Sequence, residues 1–504
     1  MRLPLAGAAA CLLLAGSAAA QEAPIAAARD ALPGAPAPVP WALPEAGRCQ
    51  PQEGIADFTR EDAPPVPFAR GDAFRLDQLD ALRDFLPAEL WAHRERFFYE
   101  GMRLVIGACF ADYSAPPFFQ VATQSFAGRA RLGEDGGLEE YTAGLPFPPA
   151  RIAPDDPQAG QKWAWNHELR YQGAGFWGSF RTSDMVGRSG RAEPFAGEIW
   201  KAQLSFRADR PDQGYALPFA RDNHWVGGGE MLEPFDARQY AWRQYRDVAH
   251  LTDRERSDDL HAYLPDYRRV RRVPATGVEG IYMPAFSVGV VKPTTLTGIG
   301  GGLDGGVGGG VGVAAAPPAA ITSKRTGFEG LELRPLLWKF ELLGVRDVLT
   351  PIAATTPAYP EDPNREFGPW GLSFASDTWD LRRAVVLEGR SQQGDLGGDQ
   401  VARFQLYLDA QTQQPLYYIS FDRRDELIDV GMFVGRWSED RPDYPKWPDD
   451  PARPVRVIDP VGAAFANIAE DGGWRRESWT IVSTPPDDRT LKRKLSVNEL
   501  SKRR

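Results

Sequence analysis

The chain has 504 residues, of which 43% are hydrophobic, 25% charged and 11% aromatic, so it can bury a large core and is not a disordered polyelectrolyte. Its net charge of -10 and mean hydropathy of -0.39 argue against a nucleic-acid-binding protein and against a polytopic membrane protein. The 51 Gly and 44 Pro residues indicate many turns, few long helices and a mainly β fold.

The N-terminal segment predicts export. Residues 1–20 join Arg2 to a short apolar stretch and end in small residues, which is the pattern of a cleavable signal peptide. No later apolar stretch is long enough to span a membrane, so we expect a soluble periplasmic protein without a transmembrane helix after cleavage. Residues 21–48 are rich in Ala and Pro and predict a spacer.

Two cysteines, Cys49 and Cys109, remain after cleavage. In an oxidising compartment a single disulfide between them is the simplest interpretation. Two buried free thiols are the alternative.

The first elements in chain order are helical. Residues 76–100 carry a helical pattern that Pro87 interrupts, which predicts one or two short helices. Two segments then alternate with a period of two, from Trp163 to Tyr171 and from Trp200 to Phe206. This alternation predicts half-buried strands with aromatic faces.

Later strands are predicted over Leu336 to Leu342 and, as a three-stranded antiparallel meander, within residues 404–434. The apolar faces of the predicted strands would either line a cavity or fill a core. The candidate ligand contacts are the large apolar side chains on these faces: Trp163, Trp165, Trp200, Leu204, Phe206, Trp338 and Phe340.

Residues 49–480 are expected to form a single β domain. A glycine-rich flexible insert at 298–320 interrupts it, and this insert lacks the Gly-Lys-Ser/Thr ending of a phosphate-binding loop. A basic tail, residues 481–504, follows. This tail is either a disordered solubilising segment or one that is attracted to an anionic membrane surface.

Arginines occupy both faces of the extended segment from Tyr263 to Arg272. A buried strand could not accept them, so the segment is predicted to lie at an edge or a rim. This rim is either a solvated face or an anion site, and Arg269 and Arg271 are the candidates for binding an anionic head group.

Catalytic and metal-binding signals are weak. The five histidines include no pair at the spacing of zinc ligands, and there is no Gly-x-Ser-x-Gly nucleophile turn. His167 is interpreted as a hydrogen-bonded core residue, with a general base as the alternative. We therefore predict no catalytic residue, no metal and no cofactor.

Four segments carry a family resemblance: Arg94–Met102, Tyr141–Pro148, Trp165–Tyr171 and Tyr263–Arg272. With them the chain resembles the domain of unknown function 1329 family, whose fold is similar to that of the periplasmic lipoprotein carriers LolA and LolB. The resemblance implies a large curved, incompletely closed antiparallel sheet, a half-barrel around a hydrophobic cavity, with a few short lid helices and no catalytic residues. It also implies partners, namely an exporter of the resistance-nodulation-division type and an outer-membrane protein.

These observations favour one functional hypothesis. The protein is expected to be a periplasmic carrier or chaperone that binds a lipid or other hydrophobic molecule in a β-sheet cavity and serves an envelope transport system. An exported adaptor of an envelope complex is the first alternative, and an exported hydrolase is the second.

Overall fold

The computed structural model describes residues 66–185, 193–219, 222–273, 280–283, 331–354, 367–375, 377–392, 401–468 and 474–502. The predicted signal peptide, the spacer, Cys49 and the glycine-rich insert lie outside these described residues.

The helices are short. The α-helices are α1 (Ala88–Ala92), α2 (Pro117–Ser125), α3 (Ala159–Glu168), α4 (Asp488–Lys494) and α5 (Glu499–Lys502). The remaining helical segments of the described structure are 3-10 helices: Leu76–Phe85, Arg94–Arg96, Pro149–Arg151, Pro211–Gln213, Phe235–Ala237, Val248–Leu251, Pro265–Tyr267, Pro335–Leu337 and Ser438–Asp440. The helical prediction for residues 76–100 is confirmed, and Pro87 caps the N-terminus of α1. Among the described residues, no helix has the length and hydrophobicity needed to cross a membrane.

The strands carry most of the structure. They are β1 (Ala73–Phe74), β2 (Leu104–Cys109), β3 (Arg131–Leu132), β4 (Leu138–Glu139), β5 (Gly175–Met185), β6 (Glu193–Gln203), β7 (Asn223–Glu233), β8 (Ala241–Asp247), β9 (Asp259–Leu264), β10 (Arg269–Val273), β11 (Trp338–Thr350), β12 (Thr378–Ser391), β13 (Arg403–Asp409), β14 (Pro415–Phe421), β15 (Leu427–Trp437), β16 (Ile458–Asn467) and β17 (Trp474–Val482).

In the described part of the chain, all of these strands except β3 and β4 form one 15-stranded sheet. Its main run is β11-β12-β13-β14-β15-β16-β17-β5-β6-β7-β8-β9-β10, and β2 and β1 extend from the first residues of β12. Neighbours are antiparallel except for β2 and β12, which run parallel. The prediction of a mainly β fold with a large, incompletely closed sheet is confirmed, and so is the meander of β13, β14 and β15.

Both faces of the sheet are covered. The face against α3, called here the α3 face, carries a continuous hydrophobic cluster that includes Ile199, Trp225, Leu387 and Phe404. On the opposite face, the N-terminal helices and β2 cover β12 to β16. Leu491 of α4 closes a smaller cluster with Trp200 on that same face. The sheet is therefore the middle one of three layers, and the face opposite α3 is covered by protein rather than exposed to solvent.

The strand predicted from Trp163 to Tyr171 is wrong, because residues 159–168 form α3. Every residue of α3 except Lys162 is buried. A helix surrounded by protein on all sides has no polar stripe, and its sequence then lacks the 3.6-residue pattern that identifies surface helices. The alternation of Trp163, Trp165 and His167 is a coincidence of side-chain type.

The C-terminal segment also differs from the expected disordered tail. Strand β17 continues to Val482, and α4 and α5 follow it. Leu491 and Leu500 are both only 2% exposed. Each of these leucines buries apolar area that a solvated tail would leave in water.

The prediction that the arginine-rich segment lies at an edge is confirmed, but the prediction of one extended segment from Tyr263 to Arg272 is wrong, because the chain reverses direction there in a 3-10 turn between β9 and β10. Strand β10 ends the sheet, with β9 as its neighbour among the described strands. Arg269, Arg271 and Arg272 are exposed along it.

Candidate functional site

A group of charged and titratable side chains lies buried at the centre of the α3 face. Three strands, α3 and three connecting segments each contribute one member, so the group exists only in the folded chain. We call it the polar cluster; its members are Glu168 at the end of α3, Lys201 on β6, His224 on β7, Arg246 on β8, His250 in the 3-10 turn after β8, Asp258 before β9 and Glu332 before β11.

Arg246 organises one half of the polar cluster. Its Nε and Nη2 donate to the two oxygens of Asp258 at 3.1 and 3.0 Å, and its Nη1 donates to Glu168 at 3.2 Å. The guanidinium also lies 4.6 Å from the centre of the Trp225 ring. The planar guanidinium group suits such a bidentate contact with a carboxylate. Arg246 therefore links β8 to α3 through Glu168.

Lys201 and Glu332 form the other half. The Lys201 ammonium donates to Glu332 and, at 3.1 Å, to the side chain of Gln172. The two charged side chains are 1% and 0% exposed. Because two charges so deeply buried are favourable only together, this pair holds the segment before β11 against β6.

The two histidines are in direct contact. His224 Nδ1 and His250 Nε2 are 2.8 Å apart, so one nitrogen donates to the other. The ring of Trp165 stacks beside His250, and the ring of Phe206 packs edge-on against His224. Neutral imidazoles suit these surroundings, since one ring donates while the other accepts.

The surroundings shift the pKa values of these groups in opposite directions. Burial, and then the charge of Glu332, raise the pKa of Glu168 to about 8, against the effect of Arg246. Burial, and then the nearby cations, lower the pKa of both His224 and His250 well below the usual value. The cluster therefore combines a protonatable carboxyl with two neutral imidazoles.

Glu168, His224 and His250 place one possible ligand atom each within 4.8 Å of the others. The donor types would suit a divalent metal ion. However, Arg246 and the backbone N–H of Leu333 already donate to the Glu168 oxygens, and Lys201 and Arg246 both act on His224 as neighbouring positive charges. The surroundings therefore oppose a metal ion here, and we interpret the cluster as a network of ion pairs and hydrogen bonds.

A cleft approaches the polar cluster from the protein surface. Its cavity volume is about 30 Å³, which is room for about one water molecule. Aromatic and polar side chains share the lining: Phe118, Phe119, Tyr141, Phe206, Glu168, Arg170, Gln172, Gln203, Arg207 and Asp209. Glu168 thus belongs both to the buried network and to the cleft.

The predicted ligand contacts fall into two groups. Trp163, Trp165, Trp338 and Phe340 lie in the cluster on the α3 face. Trp200 and Leu204 point to the opposite face, where they pack with Leu491 and Leu217. Phe206 is half-buried and lines the cleft. That these residues bind a ligand stays a prediction.

Arg269 and Arg271 are exposed on β10 and are not among the residues that line the cleft. Cys109 ends β2 and is 2% exposed. Because Cys49 lies outside the described residues, the disulfide between Cys49 and Cys109 stays a prediction.

Sequence reasoning missed the polar cluster. Lys201 alternates with Trp200 and Ala202, so it looked like a solvent-facing residue of a half-buried strand. In the structure Trp200 lies on the opposite face, whereas Lys201 lies on the α3 face, as does Ile199 two residues before it in the strand. Ile199 is the signal that could have shown this, because it is apolar and lies on the face assigned to solvent.

A comparison with models of known protein families identifies the family of the chain. A family model described as protein of unknown function (DUF1329) matches residues 77–283 and 320–448, which is more than half of the chain. No curated protein matches the chain.

The solved structures that match the chain are distant from it. A DUF1329 family protein from Desulfovibrio piger is 11% identical, with a TM-score of 0.39, and the match covers 69% of this chain and 99% of that one. A domain described as an outer membrane lipoprotein-sorting protein domain, from Vibrio parahaemolyticus, is 12% identical, with a TM-score of 0.37 and coverages of 68% and 99%. A LolA superfamily protein from Nitrosomonas europaea is 9% identical, with a TM-score of 0.28 and coverages of 65% and 93%.

Likenesses this distant support no statement about a ligand or a partner, and the assignment rests on the family model. The chain belongs to the DUF1329 family of proteins of unknown function.

Proposed function

We propose that the protein is an exported carrier that holds a hydrophobic or amphiphilic molecule against the α3 face. One observation carries this proposal. The indole N–H groups of four tryptophans on that face are buried and have no hydrogen-bond partner within the described part of the chain: Trp225, Trp242, Trp338 and Trp479.

A buried donor without a partner destabilises a protein by about 1–3 kcal/mol. Four such donors on one apolar face are unusual, because buried polar groups are nearly always paired. An amphiphile with hydroxyl, carbonyl or carboxylate oxygens would pair with these donors while its apolar part lies against the rings. A molecule without oxygen or nitrogen atoms would leave them unpaired, so the proposal favours an amphiphile over a hydrocarbon.

In this proposal the cleft is the route of entry. Phe118, Tyr141 and Phe206 give it an apolar wall, and Glu168 and Gln172 give it a polar floor. Its present volume holds no amphiphile, so loading requires the surrounding segments to move. A carrier needs no catalytic group, only apolar area that is shielded from water and released again.

The finer parts of this proposal come from the sequence. They are the periplasmic location, the service to an envelope transport system with its exporter and outer-membrane partners, and the binding roles of Trp163, Trp165, Trp338 and Phe340.

Quenching of tryptophan fluorescence by a dibrominated fatty acid tests the proposal. Bromine quenches an indole only on close contact, and the unbrominated fatty acid serves as the probe control. We expect saturable quenching that Trp338→Phe reduces. The matched variant Trp437→Phe, which removes a tryptophan from the opposite face, should leave the decrease in fluorescence on binding unchanged. Quenching that does not saturate, or that both variants reduce equally, contradicts the proposal.

An exported hydrolase is the second candidate, because Glu168, His224 and His250 lie together beside a cleft. A carboxyl with a raised pKa next to neutral imidazoles is a common arrangement for general acid and base catalysis. Hydrolysis of a p-nitrophenyl ester that is lost in His250→Gln, a variant that must remain folded, would favour this candidate over the carrier. An equal, slow rate in both proteins would remove its support.

A further inference from the structure

Three of the five large apolar side chains that are exposed in the described structure lie at two turns. Leu232 and Phe235, at the turn between β7 and β8, are 46% and 84% exposed. Tyr267, in the turn between β9 and β10, is 47% exposed. A single exposed apolar residue is ordinary, but Phe235 leaves most of a large ring in water.

The strand register brings the two turns together. Ala241 begins β8 and pairs with Tyr263, near the end of β9. The turn before Ala241 and the turn after Leu264 therefore project from the same end of the sheet. Because neighbouring strands are about 4.8 Å apart, the tips of these two hairpins are separated by about 10 Å.

Positive charge surrounds these side chains. Arg238, Arg268, Arg269 and Arg271 are exposed in or beside the two turns. Residues 232–240 and 265–272 contain five Arg against three Asp and Glu, whereas the whole chain carries a net charge of -10. Helix α5, which ends in Lys502, packs against β9 and β10. A basic surface on an acidic protein points to an anionic partner.

We propose that these two turns, residues 232–240 and 265–272, dock on the surface of a bilayer that contains anionic phospholipid. The aromatic and aliphatic side chains enter the interfacial region, where amphipathic rings are favoured, while the arginines contact phosphate groups. The surface is formed by two narrow tips rather than by a flat apolar patch, which suits the soft headgroup layer better than a protein partner. This inference is independent of the carrier proposal.

Flotation of the full-length mature protein with vesicles tests the inference. One vesicle set contains phosphatidylcholine alone, and the other contains phosphatidylcholine mixed with phosphatidylglycerol. We expect the protein to float with the phosphatidylglycerol vesicles at low salt and to lose most of this binding at high salt. Phe235→Ser/Tyr267→Ser and Arg269→Gln/Arg271→Gln should each weaken the binding at least tenfold.

Matched controls come from exposed residues elsewhere. Val121→Ser removes an apolar side chain on α2 that is 53% exposed. Arg103→Gln/Arg129→Gln removes two exposed positive charges that lie outside the two turns. Both control variants should bind vesicles as the unaltered protein does, and all variants should retain its thermal unfolding temperature.

Three results would overturn the inference. They are the absence of vesicle binding, binding to both vesicle sets that the turn variants do not weaken, and loss of binding by the controls equal to that of the turn variants. If vesicles do not bind but an envelope protein is retained by the unaltered chain and lost by Phe235→Ser/Tyr267→Ser, the surface serves a protein partner and the lipid inference is wrong. Quenching by the dibrominated fatty acid should be unchanged in the turn variants, so failure here is distinguishable from failure of the carrier proposal.

Discussion

Lys201 and Glu332 form an ion pair inside the protein although 131 positions separate them in the chain. Neither side chain is more than 1% exposed. The pair fastens the segment that leads into β11 onto β6, two strands from different parts of the sheet. Since a wrong register would leave both charges buried and unpaired, the pair specifies the arrangement of chain segments on the α3 face as well as stabilising it.

Removing one member of this pair should be more harmful than removing both charges. We expect Lys201→Met to lower the free energy of unfolding by about 3–5 kcal/mol, because Glu332 stays buried without its main cation. Lys201→Met/Glu332→Gln should recover part of that loss. Urea unfolding of the single and double variants measures this difference. A double variant as unstable as the sum of two singles would show that the two side chains are not coupled.

The raised pKa of Glu168 predicts that the protein loses stability as the pH rises. The folded-state pKa, about 8, lies above the ordinary 4.5, so the folded protein holds a proton that the unfolded chain releases between these values. The contribution of this group is complete below pH 4.5 and is lost as the pH rises through 8, with a slope of at most about 1.4 kcal/mol per pH unit. Glu168→Gln, which cannot ionise, should lose less stability between pH 5 and 8 than the unaltered protein. Parallel unfolding curves for the two proteins would contradict the assignment.

The lowered pKa values of the buried histidines predict that the protein also loses stability as the pH falls below about 6.5. Burial, and then Arg246, lower the pKa of His250 from its ordinary 6.5, so the unfolded chain binds a proton that the folded protein does not. Stability from this group is present above pH 6.5 and is lost as the pH falls below it. In thermal unfolding between pH 7 and 5, His250→Gln should therefore be less acid-sensitive than the unaltered protein. Equal sensitivity would indicate that His250 is already charged in the fold.

Substitutions at two tryptophans of the hydrophobic cluster on the α3 face distinguish the contribution of a hydrogen bond to stability from that of packing. Trp165 Nε1 donates to the carbonyl of Gly136 at 2.9 Å, whereas Trp479 Nε1 has no partner among the described residues. Replacement by Phe removes similar ring area in both cases. We expect Trp165→Phe to be more destabilising than Trp479→Phe by about 1 kcal/mol, measured in urea without added ligand. The reverse order would remove the observation on which the carrier proposal rests.

The close packing around Gly160 in α3 predicts that Gly160→Ala changes stability in the direction opposite to that expected from helix propensity. Replacing a helical Gly by Ala ordinarily stabilises by about 1 kcal/mol. Here a Cβ would lie 2.6 Å from the backbone carbon of Glu341 on β11, so Gly160→Ala should destabilise the protein by separating α3 from β11. Gly227→Ala, whose Cβ would have 3.4 Å to its nearest neighbour, is the control and should be tolerated. Stabilisation by Gly160→Ala would contradict this close packing.

Strand periodicity and turn chemistry predicted the regular parts of the fold. The meander of β13 to β15 has short polar connections and alternating side chains, so local sequence determines it. The arginines of β10 marked an edge because a charge cannot enter a sheet interior unpaired. In both cases a short stretch of chain contains all the information needed.

The polar cluster could not be predicted because its members meet only through the fold. Lys201 and Glu332 lie far apart in sequence, and the local sign that Lys201 is buried is limited to Ile199, two residues before it. The wrong strand prediction at Trp163 and Trp165 has another cause. Because α3 is buried on every side, its sequence lacks the periodic pattern of apolar and polar residues that identifies a surface helix. The face of β6 that meets α3 depends on the C-terminal helix that covers Trp200. The alternation of side chains along β6 does not by itself show which of its two faces packs against α3.

Native mass spectrometry of the mature protein, purified from its own host and then denatured, tests the carrier account most directly. The account predicts an amphiphile with polar oxygens, bound at close to one per chain and released on unfolding. A ligand-free mass from the host, together with unsaturable quenching by the dibrominated fatty acid, would contradict it.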